Sequence, residues 1–188
     1  MRIISGFYKG KKIFEPKDIK TRPLKDLTKE SIFNIIIHSN KFKINFEDAT
    51  ILDLFSGVGS FGLECISRGA QKVIFVENYP GVLPILKKNL SHLKSANNYE
   101  IIEKNIYNES TFLIFKNKFD IIFLDPPYKD KDINRILSNI KKQKLLTQNG
   151  IIILHRHKNE DDKFLQNTKI IEIKKYVISK IFFISLNK

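Results

Sequence analysis

From Thr50 onward the sequence predicts an α/β fold: a Rossmann-like seven-stranded sheet, mostly parallel, closing in an antiparallel hairpin and preceded by a short basic extension. Three observations carry this. Short apolar runs alternate with amphipathic, helix-length stretches, the pattern of parallel strands covered on both faces. A glycine-rich segment, Gly57-Val58-Gly59-Ser60-Phe61-Gly62, follows the first apolar run and opens the first amphipathic one. The last two apolar runs are separated only by residues around Val177 to Ser179, too few for a crossover helix, so they pair antiparallel.

Strands are expected at Thr50 to Leu54, Lys72 to Glu77, Glu100 to Glu103, Phe119 to Leu124, Gly150 to His155, Lys169 to Tyr176 and Lys180 to Leu186. Helices fill the gaps near Gly59 to Arg68, Pro80 to Leu93, Asn108 to Phe115 and Lys131 to Lys141, and right-handed crossovers then wind the sheet in both directions. Upstream, Thr21-Arg22-Pro23 interrupts the chain. Asp26 is expected to cap a helix whose apolar residues Leu27, Phe33 and Ile36 share one face. Residues 1–20 read as a basic extended segment packed down by Ile3, Phe7 and Ile13, with turns at Gly6 and Gly10. With no repeat and no long linker, residues 1–45 form an appendage without its own core, and residues 46–188 form one domain.

A chain of 188 residues with 42% apolar content suffices for a single core. No apolar run reaches ~18 residues, and Met1 to Gly6 lacks the features of a signal peptide, so a cytoplasmic location without membrane contact is expected. Cys65, the single cysteine, supports neither a disulfide nor a thiolate metal cluster and reads as a small core residue. His155 and His157 form no zinc pattern and read as solvated or rim residues. The formal net charge is +13, and residues 1–45 carry 11 Lys/Arg against 4 Asp/Glu, a balance of +7 in a quarter of the chain. Such a concentration points to a polyanionic partner, because each lysine displaces counterions condensed on nucleic-acid phosphates. A chain-wide enrichment in Lys, Ile and Asn accounts for part of the remaining charge.

Glycines between a strand and a helix let the backbone approach a ligand closely, and Glu77 stands at the end of the second strand, where a carboxylate can accept both ribose hydroxyls. A nucleoside-bearing cofactor follows. Asp53 is the first discriminator: a carboxylate there repels a pyrophosphate but can attract the ammonium or sulfonium region of S-adenosylmethionine, or else it only hydrogen-bonds loop amides. Asn105, after the third strand, can meet an adenine edge or serve only as a turn residue. The fourth strand ends in Asp125-Pro126-Pro127-Tyr128 at the sheet's carboxyl edge. Two prolines remove two amide donors and leave acceptors, which suit an exocyclic amine whose lone pair must be localised before it attacks a methyl group. Tyr128 can stack on the base that carries the amine. This chemistry needs neither a metal nor a covalent intermediate.

The chain resembles the RsmD-type bacterial methyltransferases, which modify the guanine N2 amino group of 16S ribosomal RNA. The resemblance rests on Arg2 to Gly6 with Gly10-Lys11-Lys12, Thr21-Arg22-Pro23, Glu30 to Asn34, the glycine loop, Leu63-Glu64 with Ser67 to Ala70, Glu77, and Asp125 to Tyr128. It implies S-adenosylmethionine contacts at Asp53, Gly57, Gly59, Glu77 and Asn105, with the adjoining Phe55, Asn78 and Ile106 completing the set. It implies catalysis at Asp125, Pro126, Pro127 and Tyr128, and RNA contacts at Lys9, Lys11, Lys12, Thr21 and Arg22 of a monomer acting on the small ribosomal subunit. Two departures touch the adenosine side: Asn78-Tyr79-Pro80 replaces a more acidic stretch, and Pro84 falls early in a helix. His155 stands where the family commonly has an acidic or neutral residue. The rivals are a DNA adenine-N6 methyltransferase, disfavoured because no segment is large enough for a target-recognition domain, a nicotinamide oxidoreductase, disfavoured by Asp53, and a non-catalytic RNA-binding module, which leaves Asp125 to Tyr128 unexplained.

Overall fold

A computed structural model of the chain describes residues 1–16, 24–127, 130–166 and 168–186. Its elements run α1 (Asp26–His38), β1 (Thr50–Leu54), α2 (Ser60–Ser67), β2 (Lys72–Val76), α3 (Leu83–Ser91), β3 (Tyr99–Ile102), α4 (Glu109–Phe112), β4 (Phe119–Leu124), α5 (Ile133–Lys142), β5 (Leu146–His157), β6 (Lys169–Lys175) and β7 (Ser179–Ser185). The strands form one sheet in the order β3-β2-β1-β4-β5-β7-β6. The first five are parallel, and β7 runs antiparallel to both of its neighbours. Strand order reverses between β1 and β4, so a crevice opens at their carboxyl ends, where open α/β sheets bind ligands.

Side-chain alternation divides the core. Ile51, Phe123 and Ile153 face α2 and α3, packing on Phe61, Leu63, Leu86 and Leu90. Leu52, Leu124 and Leu154 face the other way, onto Phe112 of α4 and Ile136, Leu137 and Ile140 of α5. Helix α2 lies unusually close to the sheet: a Cβ on Gly62 would sit 2.2 Å from the Phe75 ring. No helix among the described residues is long and apolar enough to cross a membrane.

Several local expectations are corrected. Strand β5 begins at Leu146 rather than Gly150, with a register shift against Phe119 and Ile121; a Cβ at Gly150 would lie 2.7 Å from the Phe119 carbonyl oxygen. Helix α4 is a single turn, and α3 starts only at Leu83, with Pro84 in its first turn, where a missing amide is harmless. Asp26 is not the cap of α1, since Lys25 occupies that position; its carboxylate instead accepts from the Arg2 amide at 3.5 Å and pairs with Lys29 at 3.7 Å. Leu27 is exposed, and the buried face of α1 is Lys29, Ile32, Phe33 and Ile36.

The N-terminal segment folds back on itself through an Arg2–Lys12 bridge, with Ile3 and Ile13 buried as expected. Phe7, expected to pack down, is 83% exposed, and Tyr8 is buried in its place. The backbone dictates this. The Phe7 amide donates to the Ser67 carbonyl at 2.7 Å and the Tyr8 amide to Ser67 Oγ at 2.9 Å, which fixes the order of side chains along the turn. Gly6, at φ +80°, fits because a Cβ would fall 1.8 Å from the Ser67 carbonyl oxygen. The Glu64 carboxylate accepts the Ile4 and Ser5 amides at 2.7 and 3.0 Å, so α2 holds the segment by side chain and backbone together. The expected break at Thr21-Arg22-Pro23 lies outside the described residues.

Candidate active site

Leaving β1, the chain turns through Phe55 (φ 59°), Gly57 (φ 56°) and Gly59 (φ 83°) before α2 begins. Ser56 Oγ donates to the Asp53 carbonyl at 2.6 Å, tying the loop to its own strand. Phe55 holds a left-handed conformation that costs a non-glycine residue on the order of 1–3 kcal/mol, strain of the kind found at ligand sites. Its ring lies 5.6 Å from that of Tyr107. Glu77, at the end of β2, closes the other side: Oε2 accepts the Gly57 amide at 2.8 Å, and Oε1 accepts the amides of Asn78 and Tyr79, each at 2.8 Å. The loop, Glu77 and Asn78 are thus one hydrogen-bonded unit. Asn105 Oδ1 accepts the Tyr107 amide at 2.9 Å, a local turn that leaves its amide nitrogen free of that contact, and Ile106 beside it is buried in the core on the α4 side.

Asp53 is buried. Its Oδ2 accepts the Gly62 amide at 3.1 Å, while Oδ1 has no partner among the described residues. Burial pushes this carboxyl well above its ordinary range; the Gly62 hydrogen bond opposes the shift, and the charges of Asp125 and Glu77 add to it. Three carboxylates around a desolvated, unpaired oxygen favour a cation. The ammonium and sulfonium of S-adenosylmethionine satisfy that demand, and a pyrophosphate does not. A raised folded-state pKa means that the stability contributed by Asp53 is fully present below the unfolded value of 3.8 and is lost as pH rises through the folded value. At pH 7 the buried Asp53 therefore weakens the ligand-free fold. Asp53→Asn should melt higher than wild type at pH 7, with the gap closing toward pH 4, and should lose the thermal shift that S-adenosylmethionine gives the wild type. A variant that melts lower at pH 7 would contradict this account.

At the end of β4 the Asp125 amide donates to the Leu54 carbonyl at 3.4 Å, which sets Asp125-Pro126-Pro127 beside the glycine loop. The fourth expected catalytic residue, Tyr128, lies outside the described residues. Two residues of β5 grip this loop, and neither role follows from local sequence. His155, read above as a rim residue, is buried instead, and its Nδ1 lies 2.8 Å from Asp125 Oδ1. Arg156, on the opposite face of the sheet, is also buried and donates to the carbonyls of Pro127 at 3.4 Å and Asp130 at 2.7 Å, with Asp162 accepting its Nε proton at 2.7 Å. Asp130 further accepts from the Tyr107 hydroxyl and the Asp132 amide, and burial raises its pKa. An open groove lined by Tyr107, Pro127, Asp130, Lys131 and Asp132 runs alongside. The signal in the sequence for this clamp is an arginine near the end of an apolar strand, followed by the acidic stretch Glu160-Asp161-Asp162 beyond it.

Lys9, Lys11 and Lys12 are exposed on the N-terminal turn. They are not equivalent, since Lys11 Nζ donates to the His92 carbonyl at 2.9 Å and lies over the Tyr8 ring. The turn docks at the C-terminal end of α2, one eight-residue helix, roughly 12 Å, from the glycine loop. Thr21 and Arg22 lie outside the described residues.

A parallel sheet with an antiparallel closing hairpin, a glycine loop tied to the Glu77 carboxylate, and an acceptor-rich Asp-Pro-Pro loop define a Rossmann-like methyltransferase. The chain belongs to the family described as Conserved hypothetical protein 95, whose model matches residues 1–185, and this bears out the RsmD-type resemblance. The ribosomal RNA small subunit methyltransferase D of Haemophilus influenzae is 32% identical over 168 residues, which cover 85% of this chain and 80% of that one. The solved structure of yhhF from Escherichia coli superimposes with a TM-score of 0.80 at 26% identity, covering 98% of this chain and 96% of that one. An RNA methyltransferase from Salinibacter ruber, solved with S-adenosyl-L-homocysteine, shares the fold at a TM-score of 0.65 and 12% identity, over 89% of this chain and 95% of that one.

Proposed function

We propose that the protein transfers a methyl group from S-adenosylmethionine to the exocyclic N2 amine of a guanine in 16S ribosomal RNA, acting as a cytoplasmic monomer on the small ribosomal subunit or its assembly intermediate. The observation that carries this reading is the Asp125 carboxylate at the carboxyl edge of β4, followed by two prolines and adjacent to the acidic cofactor cradle. Bound S-adenosylmethionine supplies an electrophilic methyl carbon on sulfonium sulfur. Asp53 and Glu77 hold its cationic and ribose ends, with Gly57, Gly59, Phe55, Asn78, Asn105 and Ile106 forming the cradle. Asp125 and the Pro126 carbonyl accept the amine hydrogens, which localises the nitrogen lone pair and stabilises the positive charge that develops as nitrogen attacks. Transfer would form the N–C bond as the C–S bond breaks with its electron pair on sulfur, and the nitrogen would release one proton to solvent. Tyr128 stacks on the guanine, so that positioning supplies much of the rate.

In this reading residues 1–45 form the RNA-contacting appendage and residues 46–188 the catalytic domain. Exposed Phe7, two residues before the exposed Lys9, offers an aromatic face on the same basic segment. Thr21 and Arg22 are assigned to RNA contact on the family resemblance alone. The testing experiment is transfer of labelled methyl to small ribosomal subunits lacking the modification, followed by nucleoside analysis. N2-methylguanosine is expected; N6-methyladenosine, in RNA or in a duplex DNA control, would replace this reading with its adenine rival. In the same assay, Lys9→Gln with Lys12→Gln should raise KM for the subunit and lower its salt dependence by about two charges' worth of slope.

A further inference from the structure

We infer that His155 is the positioning residue for Asp125, holding one carboxylate oxygen so that the other is presented to the target amine; this rests on the reading that Asp125 receives that amine. The register of the sheet makes the contact. Leu124 of β4 pairs with Leu154 of β5, so the next residues along, Asp125 and His155, stand side by side, on the same sheet face as Asp53. The Nδ1–Oδ1 separation is 2.8 Å, with side-chain exposures of 10% for His155 and 17% for Asp125. An ionised carboxylate can only accept, so Nδ1 carries the proton and donates it.

Asp125 needs such support. It stands next to the buried carboxylate of Asp53, and the two repel. Without a donor, the Asp125 carboxylate is free to rotate away, which removes the acceptor that the amine requires. His155 prevents this from a rigid platform, because β5 is paired on both sides, with His155 itself opposite Ile181 of β7. The neighbouring cation, Arg156, does not substitute for it, being engaged on the other face with Asp162 and the Pro127 and Asp130 carbonyls. The two residues divide the work: Arg156 fixes the loop's backbone, and His155 fixes its carboxylate.

The test compares the full-length wild type with His155→Leu, His155→Asn, His155→Gln and Asp125→Ala in single-turnover methyl transfer, alongside calorimetric binding of S-adenosylmethionine. Asn places an N–H on the atom after Cγ, where Nδ1 sits, and Gln places it one atom further out. His155→Leu should transfer about 10- to 100-fold more slowly, the range that follows a misplacement of about 1 Å, with cofactor affinity within about twofold of wild type. His155→Asn should recover most of the rate and His155→Gln should not; this Asn–Gln contrast stands even if the Leu variant fails to fold. Equal rates for Asn and Gln, or an undiminished rate for Leu, would overturn the inference. If Asp125→Ala is inactive while His155→Leu is fully active, only the role of His155 falls; if Asp125→Ala is itself active, the underlying reading falls. A second readout needs no RNA: nitrogen-15 spectra should place the His155 proton on Nδ1 in wild type and shift it to Nε2 in Asp125→Ala, and an Nε2–H tautomer in wild type would overturn the contact.

Discussion

Asp125→Ala should reduce methyl transfer by on the order of 10²–10³-fold, the loss typical of deleting one preorganised polar group that meets charge developing in a transition state. Cofactor binding should be nearly unchanged, because the cationic end of S-adenosylmethionine is assigned to Asp53 rather than to Asp125. The fold should not suffer either. Asp125 adds unfavourable charge beside the buried Asp53, so its removal relieves repulsion even as it frees the His155 imidazole. Retained melting temperature and retained cofactor affinity with lost turnover is the expected combination, read by calorimetry and single-turnover assay on one preparation. Parallel loss of binding and turnover would mean that the loop supports the cofactor instead of the reaction.

Glu64→Ala should produce the largest loss of stability, about 3–5 kcal/mol. Glu64 is wholly buried, and its two oxygens serve the Ile4 and Ser5 amides, Arg68 Nε at 2.9 Å and the Lys29 ammonium at 3.7 Å. Lys29 is equally buried, and burial already pulls its pKa down against the attraction of Glu64 and Asp26. Removal of Glu64 leaves that charge with only the more exposed Asp26 as counter-ion, at 3.7 Å, and strands two backbone donors in the same step. For a domain of this size the melting temperature should fall by roughly 10 °C, and proteases should gain access to the segment before Ile13. Glu64→Gln, which keeps one acceptor for the amides, should lose clearly less. Equal losses for the two variants would show that the carboxylate charge, not its hydrogen bonding, holds the segment.

What the sequence disclosed was whatever depends on neighbours along the chain. The seven strands, the closing hairpin, the glycine turn and the proline loop all follow from periodicity and punctuation within about ten residues. What it withheld depends on register between distant strands. His155 read as a rim residue because nothing near it in sequence shows that β5 sets it beside Asp125, thirty positions earlier. Phe7 and Tyr8 could not be told apart by hydrophobicity; hydrogen bonds to Ser67 decide which ring is buried. Leu27 failed for a different reason: six and nine residues before Phe33 and Ile36, it stands roughly 120° and 180° round the axis from them, so the helical period itself turns it away from the buried face. The misses at His155 and at Phe7 and Tyr8 come from polar groups satisfied at long range, contacts that leave no periodic trace.

The placement of β7 between β5 and β6 also bears on how the protein assembles during synthesis. Strand β6 leaves the ribosome first but has no edge to join until β7, made later, is there to pair with it. Strand β6 therefore reaches the sheet only through β7. Until β7 arrives, β5 remains an open edge, the kind of surface that recruits other chains. The charges of β6, Lys169, Glu172, Lys174 and Lys175, keep the waiting strand soluble, and in the finished sheet the same charges line the outer edge and discourage pairing with a second molecule.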